Sequence, residues 1–178
     1  GTSANENLLA TPLVDDGFMY MVDAWGVVYK IDLRSGTMGR ILWKMDPGQE
    51  KIDRNRGVAL WGNLVISVTS HDGRVIATDK ETGKIVWFSA GTTMNPIPSP
   101  VAADGLVILM AGFRGNNLKA VRLADAKDDI TNTPALVWSL DRDTPYVPSP
   151  LLYDGILYML KSNNGILSVF DAKTGKPH

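Results

Sequence analysis

The residues from Asp72 to Trp87 read Asp-Gly-Arg-Val-Ile-Ala-Thr-Asp-Lys-Glu-Thr-Gly-Lys-Ile-Val-Trp. This spacing predicts a strand over 74–78, a tight turn over 79–83 and a second strand over 84–87. Gly73 and Gly83 fall where the turns need positive φ, which glycine adopts without strain. Asp79 is placed to accept hydrogen bonds from the backbone of its own turn. Trp87 supplies a large flat surface to bury against a neighbouring unit. The chain repeats this unit, and the repetition decides the fold.

Four copies run along the chain with a period of roughly 45 residues, within the range of propeller blades. The first runs from Thr11-Pro12 through Asp16-Gly17 and Ser35-Gly36 to Ile41-Leu42-Trp43. The second opens at Gly57, turns at Gly62-Asn63 and closes on Trp87. The third has Ser99-Pro100, Asp104-Gly105 and Leu136-Val137-Trp138. The fourth has Ser149-Pro150, Asp154-Gly155, Asn164-Gly165 and Thr174-Gly175, and reaches His178 about where its tryptophan is due.

Each copy codes four short strands joined by Gly, Asn and Asp turns, with no segment of helical period. The strand after the first turn is continuously apolar in 18–22, 106–110 and 156–160. Such a strand is covered on both faces, as when twisted sheets pack around an axis. The expected fold is all-β: a β-propeller of four-stranded antiparallel blades, four blades per chain. The third copy departs from the pattern by an insertion, Ala124 to Pro134, holding Asp125, Asp128 and Asp129. A calcium loop is one reading, but the alternating ligand spacing is missing. A solvated surface loop is the plainer reading and the one adopted.

Composition narrows function. The 178 residues carry 18 basic and 19 acidic side chains and no cysteine. No basic stripe supports a nucleic-acid partner, and disulfides and thiolate metal sites are excluded. No apolar run approaches the ~20 residues of a membrane span. Gly1-Thr2-Ser3 reads as a tag remnant, residues 1–9 as a remnant plus a strand or arm, and no signal peptide is expected.

The pattern Ala-x-Asp-x-x-Thr-Gly-Lys-x-x-x-Trp resembles the tryptophan motif of quinoproteins, the propellers with pyrroloquinoline quinone (PQQ) repeats. Ala77 to Trp87 matches it with one residue fewer before the tryptophan; Lys30 to Trp43 and Val169 to Lys176 match less completely. Non-catalytic members keep the same motif for packing alone. Blades one and two, residues 10–88, resemble quinoprotein alcohol dehydrogenases. Blades three and four, residues 89–178, resemble non-catalytic PQQ-repeat propellers, including the outer-membrane-assembly lipoprotein. A join around Phe88 to Asn95 implies a recombined or engineered chimera; a single divergent gene is the alternative. The resemblance implies a periplasmic or secreted protein.

The resemblance also implies what a dehydrogenase site would need: PQQ and a calcium ion on the axis of eight blades, and an aspartate that takes the proton as hydride leaves the alcohol. Arg56, in Asn55-Arg56-Gly57, matches the family arginine that pairs with the quinone oxygens, a role suited to a guanidinium. The plainer reading of Arg56 is a turn arginine paired with Asp53. The family's adjacent cysteines are replaced by Gln49-Glu50-Lys51-Ile52. Its calcium-ligating glutamate has no counterpart in Ala111 to Asn117, where Arg114 would repel a cation. Its threonine falls near Ile97 or Pro98, and no motif matches its catalytic aspartate or stacking tryptophan.

No catalytic residue or metal ligand is therefore assigned, and no cofactor is expected unless the dehydrogenase reading holds. His71 and His178 lie far apart, and no nucleophile elbow frames a serine. Trp25 and Trp61 are read as packing residues rather than exposed binding aromatics. Tyr146-Val147-Pro148 is read as a strand start stiffened by proline, with the axial channel as the alternative location for a small-molecule or protein ligand. Four blades of eight-blade ancestry would leave apolar faces open at both ends, so the expected partner is a second copy forming a homodimeric ring. A partner's Ala4 to Leu9 would then supply the missing outer strand, and a self-closed four-bladed ring is the alternative.

Overall fold

The computed structural model describes residues 9–52, 54–161 and 165–178. Its strands are β1 (Leu13–Asp15), β2 (Phe18–Val22), β3 (Val28–Asp32), β4 (Arg40–Met45), β5 (Ala59–Trp61), β6 (Leu64–Val68), β7 (Val75–Asp79) and β8 (Ile85–Ser89). There follow β9 (Val101–Ala103), β10 (Leu106–Ala111), β11 (Asn117–Arg122), β12 (Asp128–Asp129), β13 (Leu136–Leu140), β14 (Leu151–Tyr153), β15 (Ile156–Lys161) and β16 (Ile166–Asp171). They form four antiparallel meanders, β1–β4, β5–β8, β9–β11 with β13, and β14–β16. The only helical element among the described residues is a 3₁₀ turn, Leu123–Asp125. The expected all-β propeller of four blades is the observed fold.

Local chemistry makes the hairpins. Asp16-Gly17, Asp104-Gly105 and Asp154-Gly155 each place two successive residues at positive φ, the conformation of a tight hairpin turn whose twist matches its strands. The short strands β5, β9 and β14 adjoin one another, and Thr11 bridges Gly57 in parallel. These first strands therefore line the axis, with β4, β8 and β13 at the rim.

Period-two alternation then divides each inner strand between two neighbours. In β10, Val107 and Leu109 enter the cluster shared with Ile66, Val75 and Trp87 of blade 2. Ile108 and Met110 of the same strand enter the cluster shared with Leu157 and Met159 of blade 4. Tyr20, Val22 and Met45 of blade 1 meet Val65 and Ile76 of blade 2. Each such aliphatic side chain contributes roughly 1.5–3 kcal/mol by burial. All six residues of β10 are buried, whereas in β2 and β15 burial is confined largely to alternate residues. Coverage on both faces, expected for all three strands, holds for the interior blade alone.

Rim tryptophans fasten one blade to the next. The Trp43 indole N–H donates to the Lys80 carbonyl at 3.0 Å, and its ring lies so close over Gly83 that a Cβ there would meet Trp43 Cγ at 2.9 Å. Trp138 repeats the arrangement, donating to the Ala172 carbonyl at 2.9 Å over Gly175. The turns beneath are braced by Asp79 and Asp171, whose carboxylates accept from the N–H and hydroxyl of Thr82 and Thr174.

Trp87 is different: the insertion 124–134 is exposed at most positions, as a solvated surface loop is, yet it also sends Ile130 into the core. The insertion stands where a Thr-Gly turn would receive Trp87. Its β12 pairs in parallel with the rim strand β8, Asp128 opposite Trp87 and Asp129 opposite Phe88. Ile130 and Ala135 are buried beside Trp87, and Thr131 Oγ1 accepts from the Ala90 N–H at 3.0 Å. Trp87 is buried, but its indole nitrogen has no hydrogen-bond partner, a cost of about 1–3 kcal/mol. Apolar cover has replaced the carbonyl acceptor.

Blade 4 has three strands among the described residues. Its fourth has only begun, with Pro177 bridging Phe170 and the His178 N–H donating to Val169 O at 3.0 Å. Residues 1–8, assigned above to a remnant and an arm, and Asn164 of the fourth copy lie outside the described residues. The linkers from rim strand to the next inner strand span 46–58, 90–100 and 141–150.

Two outcomes test this account. Ile130→Ala should destabilise the protein by about 2–4 kcal/mol in urea unfolding, as at a core position; a change within about 0.5 kcal/mol would return the insertion to surface loop. Thr82 and Thr174 hold the Asp79 and Asp171 carboxyls below the usual carboxylate range. A lowered folded pKa gives stability that is full above the unfolded value, about pH 4, and lost as pH falls through the folded one. Thr82→Val should therefore lower the urea midpoint at neutral pH, by an amount that shrinks on acidification.

Candidate functional site

Two kinds of loop gather at the end of the propeller opposite the Asp-Gly turns: those joining second to third strands, and the linkers that run inward from rim to axis. Polar side chains latch them together. Gln49 accepts from the Ser70 N–H at 2.8 Å and donates to the Ala24 carbonyl at 3.2 Å. The Ser70 hydroxyl donates to Arg54 O at 2.6 Å. Asn95, held at φ 58°, donates its backbone N–H to Ser70 O at 2.8 Å and its side-chain amide to the Tyr146 hydroxyl at 3.2 Å. Tyr146 stacks on Phe113 with centroids 5.0 Å apart. A path of contacts thus joins blade 1 to the linker that leads into blade 4.

Arg56 lies on this side, exposed, immediately before β5. Its carbonyl accepts from the Thr11 N–H at 3.0 Å. The buried neighbour Asn55 fixes it, donating to Val68 O at 2.8 Å and accepting from the Gly57 N–H at 3.1 Å. Asp53, the partner suggested for Arg56 above, lies outside the described residues. Tyr146 belongs to the latch. Trp61 packs on the core between blades 2 and 3, as read from sequence, whereas Trp25 is partly exposed at a turn. The His71 backbone N–H donates to Gln49 at 3.3 Å.

Three buried polar atoms here, Thr93 Oγ1, Asn95 Oδ1 and Asn117 Oδ1, have no partner in the structure, and such atoms ordinarily hold ordered water. Lys119 is buried close by, donating to the Ala90 carbonyl at 2.6 Å, and its burial pushes the amine below its usual range. Sequence reasoning missed Gln49, Asn95 and Lys119. The partners through which they latch distant loops lie 21 to 51 residues away, and no local motif marks them.

The described side chains do not assemble a calcium site beside Arg56. Ala111 to Asn117 bears no carboxylate. Its turn instead presents exposed Arg114 with the guanidinium 5.4 Å from the Phe113 ring centroid. Among the described residues no three His, Cys, Asp or Glu side chains converge. Arg56 stands without the carboxylates and cysteine pair that the resemblance requires.

Residues 37–178 match the family described as outer membrane protein assembly factor BamB. The chain belongs to this PQQ-repeat family. It is also similar to the quinohemoprotein alcohol dehydrogenase of Comamonas testosteroni, 46% identical over 89 residues, which are 44% of this chain and 12% of that enzyme. The chain thus spans a small part of that relative's length. Among solved structures, quinohemoprotein alcohol dehydrogenase ADHIIG from Pseudomonas putida HK5 superposes with TM-score 0.79 at 20% identity, over 99% of this chain and 34% of that one. The computationally designed Ika4 protein superposes with TM-score 0.70 at 18% identity, over 96% of this chain and 93% of that one. At those identities the structural likeness establishes the propeller fold.

A PQQ-repeat propeller of this composition can present loops and stack aromatics at its axis. Substitution separates latch from surface. Asn55→Ala should cost about 1–3 kcal/mol in urea unfolding, because a buried carbonyl and N–H lose their partner. Arg56→Ala should stay within about 0.5 kcal/mol of the parent.

Proposed function

We propose that the chain is a structural or binding propeller without a catalytic site, whose ring is closed by a second copy. The observation that carries this is the state of its two end faces. Strand register puts Val14, Met19, Ile31 and Ile41 in one row across blade 1, facing away from blade 2. Blade 4 correspondingly turns Leu151, Tyr158, Leu160 and Leu167 away from blade 3. Val14, Ile41, Leu151, Leu160 and Leu167 are all exposed in the single chain. Interior faces of the same composition are sealed, so the end faces are junction surfaces lacking a neighbour.

A two-fold axis sets blade 4 of each copy against blade 1 of the other, forming two identical junctions and eight blades. The axial mouth would then be the place for a small-molecule or protein ligand. A periplasmic or secreted location belongs to the same proposal, supported by the family likeness. No helix among the described residues is long and apolar enough to cross a membrane. A recombined or engineered origin, joined around Phe88 to Asn95, belongs to the same proposal and is supported by the likeness to a computationally designed protein.

Light scattering on a sizing column should give twice the 19.4 kDa chain mass. Leu160→Asp should shift it to monomer without loss of β-structure. A monomeric parent would overturn the ring.

The second reading is a PQQ- and calcium-dependent alcohol dehydrogenase, favoured by the relatives' activity and by Arg56 beside the axis. Dye reduction with added PQQ, calcium and a primary alcohol should stay at background; activity that Arg56→Ala abolishes would establish this reading instead.

A further inference from the structure

The rim strands of blades 1, 2 and 3 share one local geometry. Each pairs antiparallel with the strand inside it, and the register shifts at one equivalent place, Lys30/Ile31, Ala77/Thr78 and Ala120/Val121. Among the described residues only β8 is covered on its outer side, by the parallel strand β12; β4 and β13 end their sheets. We propose that the bare outer edge of β4 is a docking site for an extended acidic segment of another protein, laid parallel to β4 as β12 is laid on β8.

The covered edge shows how such a strand is held. Asp129 lies opposite Phe88, and the next N–H, that of Ile130, donates to Phe88 O at 2.9 Å. Register makes Lys44 the counterpart of Phe88: each follows the rim tryptophan and pairs with the residue before its partner, Lys44 with Tyr29 and Phe88 with Ile76. A strand set on β4 in the same way brings its equivalent of Asp129 beside Lys44 and its following N–H to the Lys44 carbonyl. An unpaired edge offers such backbone hydrogen bonds to an extended chain.

Charge selects the occupant. Lys44 is exposed and forms no ion pair among the described residues. Exposed Arg40, at the other end of β4, stands 3.6 Å from an Asp32 oxygen that Arg34 already grips at 2.8 Å. The nearby acids are engaged: Asp46 accepts from the Gly48 N–H at 2.8 Å, and Glu81 pairs with Lys30 at 3.5 Å. In β13 the equivalent of Lys44 is Ser139, so that edge lacks the charge. No strand of blade 2 pairs with β4, because residues 80–84 join β7 directly to β8, whereas 123–135 join β11 to β13 and supply β12. The β4 edge points away from the axis in one copy as in a closed ring, so the proposal is tested separately from ring closure.

The test titrates the full chain, labelled with ¹⁵N and held at one concentration in low salt, with a capped synthetic peptide of residues 126–132, Ala-Lys-Asp-Asp-Ile-Thr-Asn. Saturable amide shifts are expected at Leu42, Trp43 and Lys44. Asp129→Lys in the peptide should weaken binding about three- to tenfold, and the Lys44→Glu chain should reverse the preference between the two peptides. Lys44→Glu changes an exposed side chain and leaves the fold intact. Ile130→Pro in the peptide should abolish the response, because the N–H that reaches the Lys44 carbonyl is gone. Shifts confined to β8, from exchange with the chain's own β12, would overturn the proposal, as would equal shifts along β13 or equal binding of the two charge variants. So would the absence of saturable shifts over 42–44, the result expected if a second copy already covers that edge.

Discussion

A β-sheet whose strands are apolar at every position has no face to turn toward water, and the rest of this structure follows from that constraint. β10 satisfies it by sending odd-numbered side chains to blade 2 and even-numbered ones to blade 4. A sheet used in this way cannot stand alone or at the end of a stack. The blades must radiate, their inner strands must converge, and the linkers must cross from rim to axis. Placing polar loops at the axial mouth is thus a by-product of burying hydrocarbon.

Most of the fold was legible because its signals are local. Asp-Gly pairs specify hairpins, alternation specifies strands, and Asp-x-x-Thr-Gly specifies the braced turn that a tryptophan covers; each acts within a few residues. What escaped was written at long range. Asp128-Asp129 has no strand propensity, and it pairs only because β8 offers an edge and Ile130 has a cavity beside Trp87 to fill. Gln49 and Asn95 look like any loop amides until the linkers are folded over one another.

The candidate site was legible only in part. Arg56 was visible through its motif, and the structure adds that it is exposed and backed by buried Asn55. The same position near the axis serves a quinone-binding arginine or a mere surface cation. Carboxylates distinguish the two, and Ala111 to Asn117 has none. Repeat architecture is therefore a strong statement about packing and a weak one about chemistry.

The insertion that covers Trp87 also bears on how such chains can be shuffled. Blades 1 and 2, and blades 3 and 4, are coupled at the rim by the same tryptophan-on-glycine contact. Blade 3 has surrendered its turn for a clasp cut to the outline of one particular neighbour. The junction between blades 2 and 3 is consequently particular to these two blades, while the junctions on either side keep the tryptophan-on-glycine coupling. The clasp gives an otherwise repetitive ring a fixed point from which its blades can be counted.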